Sequence, residues 1–304
     1  MPSDPTVGLV RACQRDGTGG SPTAVVVEEA PLTDAERRRV PVEWGVSHAV
    51  YARVHDGLPE PIVDLRFFTA EGELPACGHG TVAALVLLAA RARARAGSGS
   101  GAGAGAGTSA AEPYRATLRT AGRSFPGRAR VDGDRGTGLF DPGPVALRDP
   151  SAAERALVLP ALGLAPDEPG QAVRVAGVGR ERILVPVSSR SALAALTPDL
   201  DRLRAACDRL GLLGAYVYSP PSSTGSLAAR MFAPSIGVPE DIANANSTAC
   251  LAAHLAGREV TDLAVDMGDA LGSPARITAT LTEDPGPGRP GPRILLGGTA
   301  QVLG

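Results

Sequence analysis

Cys77, His79 and Asp241 are the side-chain types that accept and return protons, and each lies in a tight polar loop before an Ala/Leu-rich helix. The first loop follows Leu65–Arg66–Phe67–Phe68 and reads Pro75–Ala76–Cys77–Gly78–His79–Gly80–Thr81. The second follows Arg230–Met231–Phe232–Ala233–Pro234 and reads Glu240–Asp241–Ile242–Ala243–Asn244–Ala245–Asn246–Ser247. Each is an Arg-x-Phe strand, a turn and a helix start, and the two arginines lie 164 positions apart, so the chain reads as two related halves. Two such helix starts can face each other and hold a small carboxylate or phosphate, because their first N–H groups lack helical acceptors and the helix end is positive. A thiol at such a start has its thiolate form favoured.

Other elements must carry these loops. Strands are expected over Val7–Cys13, Ala24–Val27, Ile62–Phe68, Tyr114–Thr120, Ile183–Val187, Ala215–Tyr218, Leu227–Phe232, Ile277–Leu281 and Ile294–Val302. Ser47–His48 leads into a further strand. Thr33–Asp34–Ala35–Glu36 is a capping box that starts a helix, which Pro41 distorts, ends or restarts. Gly78–Ala90 and Asn246–Ala256 are the two main helices, and Thr197–Pro198–Asp199 caps another that stops at Gly211. Residues 91–111, rich in Ala, Gly and Ser, read as a flexible surface insertion. Hairpins mixed with helices predict an α+β fold, not a Rossmann one. Gly97–Gly107 is no dinucleotide fingerprint, since no strand enters it and no capped helix leaves it.

Composition removes several chemistries. All 30 basic residues are Arg, so a Schiff-base Lys and a Walker-type phosphate loop are both excluded. Net charge is −2, which gives no basic excess for nucleic acid. Val82–Ala90, the longest apolar run, is too short to span a bilayer, and no basic-then-apolar leader opens the sequence, so a cytoplasmic protein with no membrane role is expected. Cys13, Cys77, Cys207 and Cys250 form no C-x-x-C pair, which argues against a metal site. Cys207 and Cys250 read as core, and only Cys77 is presented from a loop.

These segments resemble the PhzF-like phenazine-biosynthesis family of the diaminopimelate epimerase-like superfamily. The matching stretches are Gly20–Ser21–Pro22–Thr23–Ala24–Val25, Glu73–Thr81, Leu184–Val185–Pro186–Val187 with Leu196–Thr197–Pro198–Asp199, and Arg230–Pro234 with Glu240–Asp241. The resemblance implies two similar domains, 1–137 and 138–304, each a mixed β-sheet wrapped around a central helix, with the last strands able to pack back on the first domain. The active-site cleft then lies between them. It also implies proton shifts or epimerisation next to a carboxylate in specialised metabolism such as antibiotic biosynthesis, with no metal or organic cofactor, on a small carboxylate-bearing metabolite, in a dimer.

Position by position, the family's Gly-His pair falls on Gly78–His79 and its acidic motif on Asp241, followed by Ile242 in place of Pro. The epimerase cysteine of the first domain falls on Cys77, and its second-domain counterpart on Asn244, which is no base. The phenazine branch's catalytic Glu falls on His48. The expected catalytic set is therefore His48, Cys77, His79 and Asp241, with Gly78, Gly80, Thr81, Asn244, Asn246 and Ser247 binding substrate and capping the helices. His254, Glu43 and Trp44 read as structural, Trp44 as core or cleft wall. The leading expectation is a cofactor-independent isomerase that moves a proton and a double bond in a small unsaturated or cyclic acid. The alternatives are a two-base epimerase using His48 and Cys77, and an acid-binding protein without turnover.

Overall fold

The alternating Val/Ala/Leu pattern at the start of the chain forms two antiparallel strands, β1 (Thr6–Gln14) and β2 (Ser21–Val27), paired from Thr6↔Val27 to Ala12↔Ser21. The computed structural model describes residues 6–55, 57, 60–99, 112–166, 172–256, 261–282 and 293–303. The turn between the strands runs through Gly19 at φ +61°, where a Cβ would fall 2.3 Å from the Pro274 carbonyl oxygen; only glycine permits that approach.

Helix α1 (Asp34–Glu43) has both bonds of the Thr33/Glu36 capping box and runs through Pro41. A residue with an N–H at position 41 would bond the Arg37 carbonyl; Pro41 leaves it free, and the Tyr51 hydroxyl donates to it at 2.7 Å. Tyr51 lies in β3 (His48–His55), which pairs in parallel with β2. The buried Arg37 side chain is held by Glu28 at 2.8 Å and Asp34 at 3.0 Å.

From β3 the pairing continues to β4 (Ile62–Phe68), which carries the short β5 (Glu73–Leu74) as a hairpin. It then passes through β6 (Tyr114–Thr120), β7 (Arg123–Asp132) and β8 (Arg135–Phe140) to β17 (Arg293–Leu303), which pairs back onto β1. The circuit is closed. Helix α2 (Gly78–Gly99) packs against β1, β2, β3, β7, β8 and β17. Its run Val82–Ala89 is buried on every face, as a helix apolar all round requires. The helix continues past Ala90, where a flexible insertion was expected, because Arg91–Ala96 alternates two strong helix formers and Arg93 is anchored on the Val131 carbonyl at 2.7 Å. Residues 100–111 of that expected insertion lie outside the described residues.

The later chain supplies β9 (Ala146–Arg148), α3 (Ala152–Ala161), β10 (Arg174–Gly177), β11 (Glu181–Pro186), α4 (Arg190–Ala194), α5 (Leu200–Leu210) and β12 (Ala215–Tyr218). It ends with β13 (Ser226–Ala233), β14 (Val238–Asp241), α6 (Ala245–Leu255), β15 (Asp262–Met267) and β16 (Ala275–Thr282) before β17. Pairing runs β9–β10–β11–β12–β13, then β13–β15 and β15–β16. Helix α6 packs against β9, β10, β11, β16 and β17, while α3 and α5 cover a separate apolar cluster. β17 joins everything into one hydrogen-bonded network: its first half pairs with β16, its second half with β1, and its other edge with β8. Position 137, the expected end of the first domain, lies within β8. Among the described residues no helix is long and apolar enough to cross a membrane.

Helices α2 and α6 meet at their N-termini. A Cβ on Gly78 would lie 2.5 Å from Ala245 Cβ and 3.2 Å from the Asn246 nitrogen. Gly78→Ala is expected to destabilise the protein by about 1–3 kcal/mol in urea unfolding, because the two helix starts must separate. Gly97→Ala in the same helix, where a new methyl meets nothing within 4 Å, is expected to be neutral or to stabilise by up to about 1 kcal/mol. Equal effects of the two would show that the contact imposes no constraint.

Candidate active site

The Arg-x-Phe strands do the same mechanical work twice. Arg66 bonds Glu73 through Nε and Nη2 at 2.7 and 2.6 Å and lies over the Phe68 ring at 5.1 Å. Arg230 bonds Glu240 through the same atoms at 2.9 and 2.8 Å and lies over Phe232 at 4.8 Å. Each two-point clamp ties the hairpin β4–β5 or β13–β14 just before the loop that opens α2 or α6. Planar, bidentate pairing fixes direction as well as distance, so both loops arrive with defined aim.

Between the loops is a cavity of about 140 Å3 whose lining includes His48, Cys77, Gly78, His79, Asp241, Asn244 and Asn246. The His79 Nδ1 lies 2.6 Å from the Ala243 carbonyl oxygen, across 164 positions of sequence. A carbonyl only accepts, so Nδ1 carries the hydrogen and Nε2 is left facing Cys77 Sγ at 3.5 Å. A negative charge on that sulfur would meet the α2 N-terminus and, when His79 is an imidazolium, its Nε2–H. His48, at the first position of β3, meets the His79 ring edge-on at 4.6 Å between centroids, and its Nδ1 lies 2.8 Å from Ser47 Oγ. The donor atoms of His48, Cys77 and His79 all fall within 4.8 Å of one another, so these nitrogen and sulfur donors have the types that hold zinc.

Burial is the largest influence on both imidazoles and lowers both, yet their neighbours separate them. His48 stays well below the usual histidine range, through burial and then the charge on His79. His79 is raised to about 9: burial opposes the shift, but the charges of Cys77 and Asp241 and the hydrogen bonds to Cys77 and Ala243 overcome it. The Asp241 carboxyl is raised by burial, against the opposing pull of His79, Asn244 and the backbone N–H groups of Ala243 and Ile242. Its Oδ2 accepts from Asn244 Nδ2 at 3.0 Å.

The remaining expected residues divide into lining and support. Asn244 lines the cavity, but its Oδ1 accepts from the Ser247 N–H at 3.0 Å as the cap of α6, so both ends of its amide are engaged. Gly80, Thr81 and Ser247, expected to touch substrate, do not line the cavity. A Cβ on Gly80 would strike Val50 Cγ2 at 2.7 Å, the Thr81 hydroxyl donates to the Cys77 carbonyl at 2.8 Å, and the Ser247 hydroxyl points at Met231 sulfur at 3.6 Å. They shape the walls. Trp44 is 44% exposed at the end of α1 and forms neither core nor cleft wall. Sequence reasoning missed Val178 and Arg180, in the β10–β11 turn, and Arg182, near the start of β11, all of which line the cavity. An Arg inside the apolar strand run Arg182–Ile183–Leu184–Val185 was the available signal.

The two histidines give stability opposite pH dependences. His79 is raised when folded, so its contribution is full below about pH 6.5 and is lost as pH rises towards about 9. His48 is lowered when folded, so stability falls as pH drops below about 6.5, where only the unfolded chain takes up its proton. Melting temperature should therefore fall on both sides of near-neutral pH. His79→Asn should flatten the alkaline limb and His48→Gln the acid limb, measured by calorimetry from pH 5 to 10. Limbs left unchanged by both substitutions would refute these assignments.

The geometry agrees with what the chain resembles. Residues 10–303 match the family model described as phenazine biosynthesis-like protein. The uncharacterized isomerase YddE of Escherichia coli is 28% identical over 295 residues, covering 93% of this chain and 91% of that one. The structure of a predicted epimerase from Pseudomonas aeruginosa superposes with a TM-score of 0.77 at 23% identity, covering 99% of this chain and 98% of that one. A PhzF-family protein from Bacillus anthracis superposes with a TM-score of 0.74 at 17% identity, covering 98% and 96%. Ordered motifs, a repeated Arg–Glu clamp and a match along nearly the whole length lead to one conclusion: the chain belongs to the phenazine biosynthesis-like (PhzC-PhzF) family.

Proposed function

We propose that this protein is a proton-shift isomerase that moves a double bond in a small unsaturated or cyclic carboxylic acid, using its own side chains as acid and base and no organic cofactor. The observation that carries this reading is the single cavity holding a thiol, two imidazoles of opposite protonation tendency and a carboxyl group. Environments that push like groups apart in proton affinity mark an acid and a base. The amide-rich starts of α2 and α6 hold the substrate carboxylate.

In the proposed cycle Cys77, as thiolate, removes a proton from carbon beside the carboxylate, and an S–H bond forms. The electron pair left on carbon moves through the adjacent double bond. The His79 imidazolium then gives its Nε2 proton to the far carbon, and the Cys77 thiol returns its proton to Nε2 across the 3.5 Å contact. Protons and charges balance, and the enzyme ends where it began. His48, whose proton affinity is lowered by burial, is the weaker second candidate to take the proton, the role that the family resemblance implies for its position. Two-base epimerisation using His48 and Cys77 is less well supported, because burial weakens His48 as a base and Asn244, at the place of the second-domain cysteine, is an amide engaged at both ends.

Incubation with a panel of dihydroaromatic and dehydroproline-type acids in D2O tests the reading. Deuterium at a new carbon together with a moved double bond is the expected result. Inverted configuration without a moved bond would identify an epimerase, and saturable binding without exchange would identify a binding protein. Cys77→Ser and His79→Asn are each expected to lower turnover by roughly 10²–10⁴-fold. His48→Gln separates the two candidate bases, and full activity in all three variants would sink the assignment.

A further inference from the structure

Arg182 is the largest fully buried side chain of the protein and lines the same cavity. The buried Arg37 is matched by Glu28 and Asp34, and the partly buried Arg230 by Glu240. Among the described residues Arg182 has no carboxylate partner. Its Nη1 donates to Cys250 Sγ at 2.9 Å, and its Nε, also buried, makes no hydrogen bond. Burial pushes the Cys250 thiol up, which outweighs the lowering by Arg182, so the sulfur is a neutral and weak acceptor. A guanidinium removed from water without a counter-charge is costly, and the cost falls when an anion arrives. Arg180, in the turn just before β11, also borders the cavity.

Position indicates how such an anion would be carried. Cys250 lies four residues beyond Asn246, so Arg182 reaches α6 about 6 Å along its axis from the amide-rich start. The cavity therefore offers two separate places for negative charge, one at the helix starts and one at the guanidinium. We infer that Arg182 is an anion anchor and that the site takes a short acid with two carboxylates, one on the helix starts and the other on Arg182. This rests on the reading of the cavity as the place where an acid is transformed, and it narrows the substrate class from any small acid to a diacid.

Protection of Cys77 from alkylation tests the anchor without requiring turnover. The wild-type protein is treated with iodoacetamide in the presence of succinate or of butyrate, an acid of the same chain length with one carboxylate, and modification of Cys77 is read by peptide mass spectrometry. Succinate is expected to protect at concentrations at least tenfold lower than butyrate. Arg182→Met, similar in reach and uncharged, should remove that preference while butyrate protection stays within twofold, and its melting temperature without ligand should be equal or higher. Arg182→Lys should keep part of the preference. Equal protection by the two acids in the wild-type protein would overturn the proposal, as would an unchanged preference in Arg182→Met. A large loss of stability in both variants would also overturn it by assigning Arg182 to the fold. A preference for succinate without any hydrogen exchange in D2O would keep the anchor and remove the isomerase; exchange without the preference would do the reverse.

Discussion

The hydrogen bond from His79 Nδ1 to the Ala243 carbonyl is the contact on which the site depends. It joins the start of α2 to the loop before α6 and sets the tautomer, so that one bond decides both architecture and chemistry. Without it either nitrogen of His79 could carry the hydrogen, and Nε2 would have no fixed relation to Cys77. The bond is possible because Gly78 lets the two helix starts touch. The Arg66–Glu73 and Arg230–Glu240 clamps then hold the loops from behind, so the approach is fixed on each side by charged, two-point pairing.

Two histidines 4.6 Å apart with opposed proton affinities show how little of the outcome burial alone determines. Both rings are withdrawn from water, and desolvation lowers both. His79 faces a sulfur, a carboxylate beyond it and a backbone carbonyl, all of which favour a proton. His48 has a hydroxyl beside it and the His79 charge at its edge, neither of which does. A proton entering this cluster is therefore directed to one ring. That ring is the one within reach of the thiol.

Much of this was readable in the residues. The repeated Arg-x-Phe strand and polar helix start located both loops, and Cys77, His79 and Asp241 do share one cavity with His48. The Thr33–Glu36 capping box and the Asp199–Gly211 helix limits appear where local chemistry places them. Other features were hidden for physical reasons. Helix α3 opens with its own capping box, Ser151 to Glu154, but its Ala/Leu run with a terminal Pro160 resembles the surrounding loop composition. The end of α2 was obscured because Arg/Ala repeats suit a helix and a low-complexity segment equally well. Gly80, Thr81 and Ser247 look like ligand-binding residues because small and hydroxylated side chains also serve close packing and backbone satisfaction. Arg182 could not stand out in a chain whose 30 cations are all arginine. Only its burial and its lack of a carboxylate partner set it apart.

The Arg–Glu clamp and the polar helix start occur twice, but the side chains around the two starts differ, and that difference bears on the proposed reaction. Cys77 stands at one helix start and Asn244 caps the other, and both line the cavity. A carboxamide is neither acid nor base near neutral pH, and this one is held in a capping role, its oxygen on the Ser247 N–H and its nitrogen on Asp241. The proton-moving groups lie instead around the start of α2: the thiol, His79 beside it and His48 against His79. The isomerisation proposed above removes and returns a proton at different carbons, so groups on one side of the substrate suffice for it. Inversion at a single carbon needs an acid and a base on opposite faces, and the second helix start, spent on capping and support, supplies structure in place of a base. Under the proposed function the two clamped helix starts divide the work, with the thiol and both imidazoles gathered at one of them.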